Sequence, residues 1–261
     1  MSSIQERAHN FLSVLRHCQH LGLTIEQADE QGLVIKLPYS EKIVGNPVTG
    51  LIHGGAITTL MDTCCGISTV CYLPSFEICP TLDLRIDYMR PAEPGKAIYG
   101  FAECYRVTPT VIFTRGVAYQ VQQVVASSHQ TGDYSPLVKL IPYASMIGMQ
   151  VTRLGDEAVF SLPKSEDNIG NPVLPALHGG VIAGFMEQSA MLHLMIFMNS
   201  AVFPKIIDFS VDYLRAGLYR DTYATCQVWR QGRRVGNVAI TAWQTRSKEP
   251  IATARAHFKL D

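Results

Sequence analysis

The apolar and polar positions along the chain fall into one pattern that occurs twice. Each copy opens with a helical lead-in and a short apolar strand ending in Leu-Pro, "LVIKLP" and "AVFSLP". An Asn-Pro loop and a His-Gly-Gly triplet follow. Next comes a long apolar segment, 55–73 in the first copy and 180–197 in the second. It is too continuous for an alternating strand, and its length suits a buried helix. Strict alternation then sets in. In "TLDLRIDYM", Leu82, Leu84, Ile86 and Tyr88 share one face, and Thr81, Asp83, Arg85 and Asp87 share the other. "IDFSVDYL" repeats this with Phe209, Val211 and Tyr213. Further strands are expected at "YGFAECYRV", "IFTRGVAYQV", "ATCQVWRQ" and "NVAITAWQT". The pattern predicts an α+β fold in which an antiparallel sheet wraps one long helix.

The two copies are a duplication. His53 and His178 lie 125 positions apart (178 − 53), and the same spacing relates Asn46 to Asn171, Met61 to Met186, Asp83 to Asp208, Tyr88 to Tyr213 and Arg90 to Arg215. A period this long makes each copy a whole domain, since solenoid repeats are far shorter. The polar, Gly- and Pro-containing stretch 127–136 reads as the junction. The expected organisation is a first domain over 1–132, a linker over 133–140 and a second domain over 141–261.

Composition narrows the partners. Lys+Arg and Asp+Glu are both 22, giving zero formal charge. Such balance argues against nucleic acid or an anionic membrane surface, which would leave a basic footprint. The seven Cys form no C-x-x-C pair and sit mostly in apolar runs such as "TCCGISTVCYL". They read as buried thiols in a reducing compartment, and a cytoplasmic protein is expected. Charges in "MSSIQERAHNFLSVLRHC" interrupt any secretory apolar core. The charge-free run 188–204 is short for a bilayer span and fits a buried helix better.

The chemistry concentrates at the repeated motif, "GNPVTGLIHGG" and "GNPVLPALHGG". His-Gly-Gly opens the long helix, where unpaired N–H groups and the positive dipole end face outward. Glycine there lets a ligand oxygen approach the backbone, so Gly54 and Gly179 are candidate carbonyl cradles. Nine residues after each His stands an acid, Asp62 or Glu187, inside an apolar helix where a carboxylate needs a task or a partner. Eight residues separate Gly54 from Asp62, about 12 Å along a helix. Neither acid reaches its own helix start. Each reaches the other's if the two helices lie antiparallel, which would pair Asn171 and Gly179 with Asp62, and Asn46 and Gly54 with Glu187. His53 and His178 read as braces of the loop rather than bases, and they lack neighbours at metal-ligand spacing. Asn46 and Asn171 precede Pro and fit a turn as well as a function.

These residues carry a resemblance. The His-Gly-Gly with an acid nine residues on, the Asn before it and the later "DYMRPAEPG" resemble the hotdog-fold acyl-CoA thioesterases, closest to the phenylacetic-acid-degradation (PaaI-like) type. Here they stand as two hotdog domains in tandem that would form a pseudo-dimer within one chain. The resemblance implies hydrolysis of an acyl-CoA to free acid and coenzyme A. Asn and the first Gly N–H would polarise the thioester carbonyl, and the other half's acid would activate water or attack directly. It implies no cofactor and no metal, coenzyme A being part of the substrate. A homodimer or higher homo-oligomer of double units is expected. Gly55 and Gly180 would line the same cradles. Arg90, Arg215, Arg233 and Arg234 offer guanidinium groups for the coenzyme A phosphates, although strand-end Arg residues are commonly just solvated.

The halves differ in detail. Family members place a hydroxyl seven residues before the strand Tyr; Thr81 fills that position before Tyr88, but Ile206 fills it before Tyr213. Members with Glu carry a hydroxyl one turn later, where Met191 stands. The Asp62 site is therefore expected to be the active one and the Glu187 site weaker. An α/β-hydrolase is excluded by the missing G-x-S-x-G elbow. A hotdog dehydratase or hydratase and a non-catalytic acyl-CoA binding protein stay open as rivals.

Overall fold

Local signals start each half. In the computed structural model, which describes residues 3–73, 79–108, 110–120, 138, 141–154, 157–171, 174–198 and 202–260, α1 (Ile4–Val14) begins at a reciprocal capping box. Ser3 accepts from the Glu6 N–H, and the Glu6 carboxylate accepts from the Ser3 N–H. Helix α2 (Arg16–Leu21) ends at Gly22, whose φ of 71° gives the left-handed stop that glycine permits. The hairpin β1 (Thr24–Asp29) and β2 (Gly32–Leu37) comes next, then the short hairpin β3 (Val44–Asn46) and β4 (Leu51–Ile52), which carries the first Asn-Pro loop. Helix α3 (Gly54–Ser68) precedes β5 (Asp83–Asp87), β6 (Ile98–Val107) and β7 (Ile112–Tyr119).

The second half repeats the order: α4 (Pro142–Met146), β8 (Gln150–Leu154), β9 (Glu157–Leu162), β10 (Ile169–Asn171), β11 (Ala176–Leu177), α5 (Gly179–Phe197), β12 (Lys205–Tyr213), β13 (Thr222–Gln231), β14 (Val235–Trp243) and β15 (Pro250–Lys259). The α+β reading with one long helix per half holds. Seven strands go beyond the sequence expectation: β1, β8 and β15, and the short β3, β4, β10 and β11 formed within the expected Asn-Pro loops. The expected junction at 127–136 and the linker 133–140 lie outside the described residues, Val138 apart.

All described pairings are antiparallel. One sheet runs β1-β2-β6-β7 and the other β5-β12-β15-β14-β13-β9-β8. Strand β5 of the first half thus joins the second half's sheet through β12. Leu84 stands opposite Val211 and Ile86 opposite Phe209, so the apolar faces expected from alternation meet across the boundary. Five of the second half's six long strands have counterparts in the first; the place for a counterpart of β15 falls outside the described residues.

Helix α3 packs on β2, β6 and β7, and α5 on β13, β14 and β15. Leu33, Ile35, Leu60 and Cys64 are wholly buried in the first half, as are Phe160, Phe185, Phe209 and Ala242 in the second. Full burial of each such large side chain contributes about 1.5–3 kcal/mol. By length and composition α5 could cross a bilayer, yet 78% of its apolar window is buried inside the protein. It is the second half's core helix.

The two long helices touch each other almost backbone to backbone. A Cβ built on Gly55 would lie 2.6 Å from the Gly184 Cα, and one on Gly180 would lie 2.6 Å from the Thr59 Cα. The start of each helix meets the middle of the other, so they run antiparallel. The lead-in helices then cross over. Helix α2 packs on β10 and the turn at 166–168 of the second half, and α4 packs on β3 and the turn at 41–43 of the first. Cys18 and Tyr143, which the 125-residue spacing relates, each lie beside the other half's motif histidine. Cys18 Sγ is 3.7 Å from His178 Nε2. The Tyr143 ring stacks on His53 at 4.5 Å between centroids and 7° between planes.

Gly184 makes room for Tyr143, because a Cβ there would collide with the phenol oxygen and stand 2.9 Å from Cζ. Gly184→Ala is expected to destabilise by about 1–3 kcal/mol through overpacking. Combined with Tyr143→Phe, the loss should be less than the sum of the two single losses, since both act on one contact. Urea midpoints of the two single variants and the double variant measure this; strict additivity would contradict the packing described.

Candidate functional site

Each motif builds a helix start before it builds anything chemical. The hairpins β3–β4 and β10–β11 fold back on the motif His. A Cβ on Gly45 would press on His53 and one on Gly170 on His178, so this first Gly of the motif is required by close backbone approach. Histidine then stands where Ser, Thr, Asp or Asn usually cap a helix. His53 Nδ1 accepts the Gly55 N–H at 2.8 Å, and His178 Nδ1 accepts the Gly180 N–H at 3.0 Å. Nδ1 is therefore the unprotonated nitrogen in both rings. Burial lowers the His53 pKa to about 4, and it lowers that of His178 as well, against the pull of Asp62. Both rings are neutral braces at physiological pH. Among the described residues neither the Gly54 N–H nor the Gly179 N–H meets an acceptor.

The antiparallel helices bring each acid to the other half's helix start. Asp62 is 7% exposed, and its Oδ2 accepts the Gly180 N–H at 2.9 Å. Its Oδ1 accepts the Thr81 hydroxyl at 2.8 Å. His178 Nδ1 lies 3.5 Å from Asp62 Oδ2, but the two are acceptors of one shared N–H beside a neutral ring, so they form no ion pair. Thr63 Oγ1 stands 3.3 Å from His178 Nε2 and 3.4 Å from Cys18 Sγ, which fixes the ring from behind. The Tyr213 hydroxyl donates to the Gly179 carbonyl oxygen at 2.7 Å. Burial, and next the nearby Asp62 charge, hold that phenol well above its ordinary pKa, so it keeps its proton.

Glu187 is 3% exposed and packs against Gly54. The Tyr88 hydroxyl donates to Glu187 Oε2 at 2.8 Å, and Thr58 Oγ1 lies 2.7 Å from that hydroxyl, so Thr58 donates to Tyr88. Burial pushes the Glu187 carboxyl up to about 7, although the hydrogen bond from Tyr88, itself backed by Thr58, pulls it down.

The other candidates are placed as follows. Asn46 Oδ1 accepts the N–H groups of Val48 at 3.0 Å and Thr49 at 3.3 Å, and Asn171 Oδ1 accepts that of Leu174 at 3.1 Å. Both carboxamide oxygens thus form turns within their own loops. Arg215 follows Tyr213 by two residues and Arg90 follows Tyr88 by two, both exposed. Arg233 and Arg234 sit on the β13–β14 turn, whose Gly236 packs on Leu194, seven residues past Glu187 on α5. That end of α5 points away from the Asp62 cluster. Among the described residues no group of three or more His, Cys, Asp or Glu could hold a metal. Sequence reasoning passed over Tyr88 and Tyr213 as site residues, although both belong to the repeat, and it passed over Thr58, which stands one helical turn before Asp62. Nothing in the residue pattern alone points to Thr63, which follows Asp62 on α3, or to Cys18 and Tyr143, which arrive through the crossing of the lead-in helices.

Comparison with known proteins gives the family. The Thioesterase superfamily profile matches twice, over 49–127 and 174–251, with starts 125 positions apart like the repeat itself. A crystal structure of a Pseudomonas aeruginosa protein is 70% identical, covering 46% of this chain and 89% of that one, with a TM-score of 0.43. One from Chromobacterium violaceum is 43% identical, covering 49% and 89%, with a TM-score of 0.42. A Halobacterium salinarum protein that carries an esterase name is 36% identical over 75 residues, 28% of this chain. The match spans 50% of that relative's length.

The Glu187 environment has a consequence for stability. A carboxyl raised from 4.5 to about 7 on folding binds its proton more tightly in the native state. Stability is therefore full below pH 4.5 and falls as pH rises towards 7, by about 3 kcal/mol in all. Glu187→Gln abolishes this contribution. The difference in unfolding free energy, variant minus wild type, should climb between pH 5 and pH 8; a flat difference would contradict it.

Proposed function

Since the chain belongs to the Thioesterase superfamily, we propose that it hydrolyses an acyl-CoA thioester to the free acid and coenzyme A, and that the Asp62 cluster does this work. One observation carries the reading. The Asp62 carboxylate stands at the start of α5 between the Gly180 N–H and the Thr81 hydroxyl, next to a Gly179 N–H that meets no described acceptor.

The thioester oxygen lies against the Gly179 N–H, at the positive end of the α5 dipole, where the negative charge of a tetrahedral intermediate is stabilised. Asp62 takes the proton of a water that attacks the carbonyl carbon; the Thr81 hydroxyl on Oδ1 and the Gly180 N–H on Oδ2 hold the carboxylate in place for that transfer. The carbon–sulfur bond breaks, and the sulfur leaves with the proton as the coenzyme A thiol. Direct attack by Asp62, through an anhydride that water then opens, gives the same products. Tyr213 fixes the Gly179 carbonyl, and His178 fixes the Gly180 N–H, so the cradle is oriented before substrate arrives. Arg215, two residues beyond Tyr213 and exposed, is the guanidinium best placed along the chain for the coenzyme A phosphates at this cluster.

Thiol release from a panel of acyl-CoAs tests the reading. Asp62→Asn should lower kcat at least about a hundredfold, the scale lost with one key catalytic group. Thr81→Val should lower it about tenfold, as a hydrogen bond to a charged group is worth roughly 1.5–3 kcal/mol. Glu187→Gln should cost less than about threefold, far below the effect of a general base. Equal losses in Asp62→Asn and Glu187→Gln would show two working centres. Tight acyl-CoA binding with no thiol release would leave a binding protein.

A further inference from the structure

Two clusters made by one duplication should be interchangeable, and their geometry is not. At the Asp62 cluster, a Cβ built on Gly179 would stand 3.0 Å from Asp62 Oδ2 and 3.4 Å from the Tyr213 hydroxyl, a tight approach but not a collision. At the Glu187 cluster, the extra methylene carries the carboxyl onto Gly54, where a Cβ would collide with Oε1 and lie 3.0 Å from Oε2. The strand tyrosines differ too. Tyr213 turns to a backbone carbonyl and leaves its acid alone, whereas Tyr88 donates to the acid itself and is backed by Thr58. Thr58 has Ala183 as its counterpart 125 positions on. Ile206 replaces the hydroxyl that Thr81 supplies. Finally, the ring of Tyr143 covers His53, whereas its counterpart Cys18 sets a small thiol beside His178. The longer acid fills the space at Gly54, and the strand tyrosine holds it there.

Building on the assignment of hydrolysis to Asp62, we propose that the Glu187 cluster is a closed clasp instead of a second hydrolytic centre. Glu187, held by Tyr88 and Thr58, occupies the Gly54 cradle and ties the middle of α5 to the start of α3 and the end of β5. The clasp lies at one end of the same helix crossing that presents Gly180 to Asp62. Glu187, Tyr88 and Thr58 thus lock the helix crossing, and the Gly54 cradle is excluded from substrate by the protein's own carboxyl. Shortening the acid by one methylene would reopen it.

Two measurements decide this. Tyr88→Phe removes the hydroxyl that holds Glu187 and is expected to lower the thermal midpoint by roughly 3–10 °C, with kcat within about threefold of wild type and any larger change in KM. In the Asp62→Asn protein, adding Glu187→Asp and Ile206→Thr should rebuild an open acid–hydroxyl pair at Gly54. Thiol release there should rise at least about tenfold over Asp62→Asn alone, a modest part of what a placed base supplies. The inference is overturned if Tyr88→Phe lowers kcat as far as Asp62→Asn does with the midpoint unmoved. It is overturned equally if the shortened variant melts cooperatively yet gains nothing. Should that variant not fold, the midpoint and kcat of Tyr88→Phe decide alone. Failure of the thioesterase reading looks different: wild type then releases no thiol from any acyl-CoA, and the melting shift still tests the clasp.

Discussion

The close crossing of α3 and α5 is the contact on which everything else rests. Two helices approach this nearly only where side chains are absent, and the chain supplies Gly55 against Gly184 and Gly180 against Thr59. Glycine within a helix costs about 0.5–1 kcal/mol relative to alanine, so the approach is maintained against local propensity. What it brings is reach. An acid eight residues down its own helix is about 12 Å from that helix's N–H groups. Laid antiparallel against a second helix, the same acid sits within hydrogen-bond distance of the neighbour's N–H, as Asp62 does with Gly180. Neither half contains such a cluster by itself.

A duplicated chain can do something a symmetric pair of identical chains cannot. In a two-fold homodimer each substitution occurs at both sites at once, because the interface is isologous. Here the equivalent positions have separated and compensated. The first half has the small Cys18 on its lead-in helix and the larger Thr59 on its long helix; the second has the large Tyr143 and the minimal Gly184. Volume lost from one element reappears on the other, so the core stays filled on both sides while the surroundings of His53 and His178 diverge. The two acids follow the same logic. Asp62 is held by a threonine and a backbone N–H, Glu187 by a tyrosine and a threonine behind it.

Much of this is written in the residue order, for physical reasons that differ by element. The two long helices are visible because nearly every side chain in α5 is apolar and buried, and β5 and β12 because their alternation is strict. The antiparallel partnership follows from one spacing and the rise of a helix. Strand β15 escapes notice because "PIATARAHFK" sets Ala252, Ala254 and Ala256 on its buried face, where alanine gives a weaker strand signal than branched and aromatic residues. Strand β1 exposes half its residues at the edge of a sheet and carries charges, so it reads as loop. The crossing of the lead-in helices is a tertiary event with no local signature. So is the use of the strand tyrosines, whose hydroxyls find opposite partners from identical positions in the repeat.

The repeated motif looks at first like a catalytic signature, yet most of it is construction. The leading Gly allows the hairpin to press on the His, and Asn shapes the turn through its own carboxamide oxygen. The His caps the second helical N–H with a ring nitrogen that burial keeps unprotonated. A smaller cap such as Ser would satisfy the same N–H but could not also reach Thr63 from its far side, as the His178 ring does. Among the described residues only the first helical N–H is left without an acceptor, and the length of the acid opposite sets how much room stands beside that glycine. One methylene separates an acid that lies beside the cradle from one that fills it. The motif therefore serves the fold in both halves, since in each it builds the helix start that meets the other helix at the crossing.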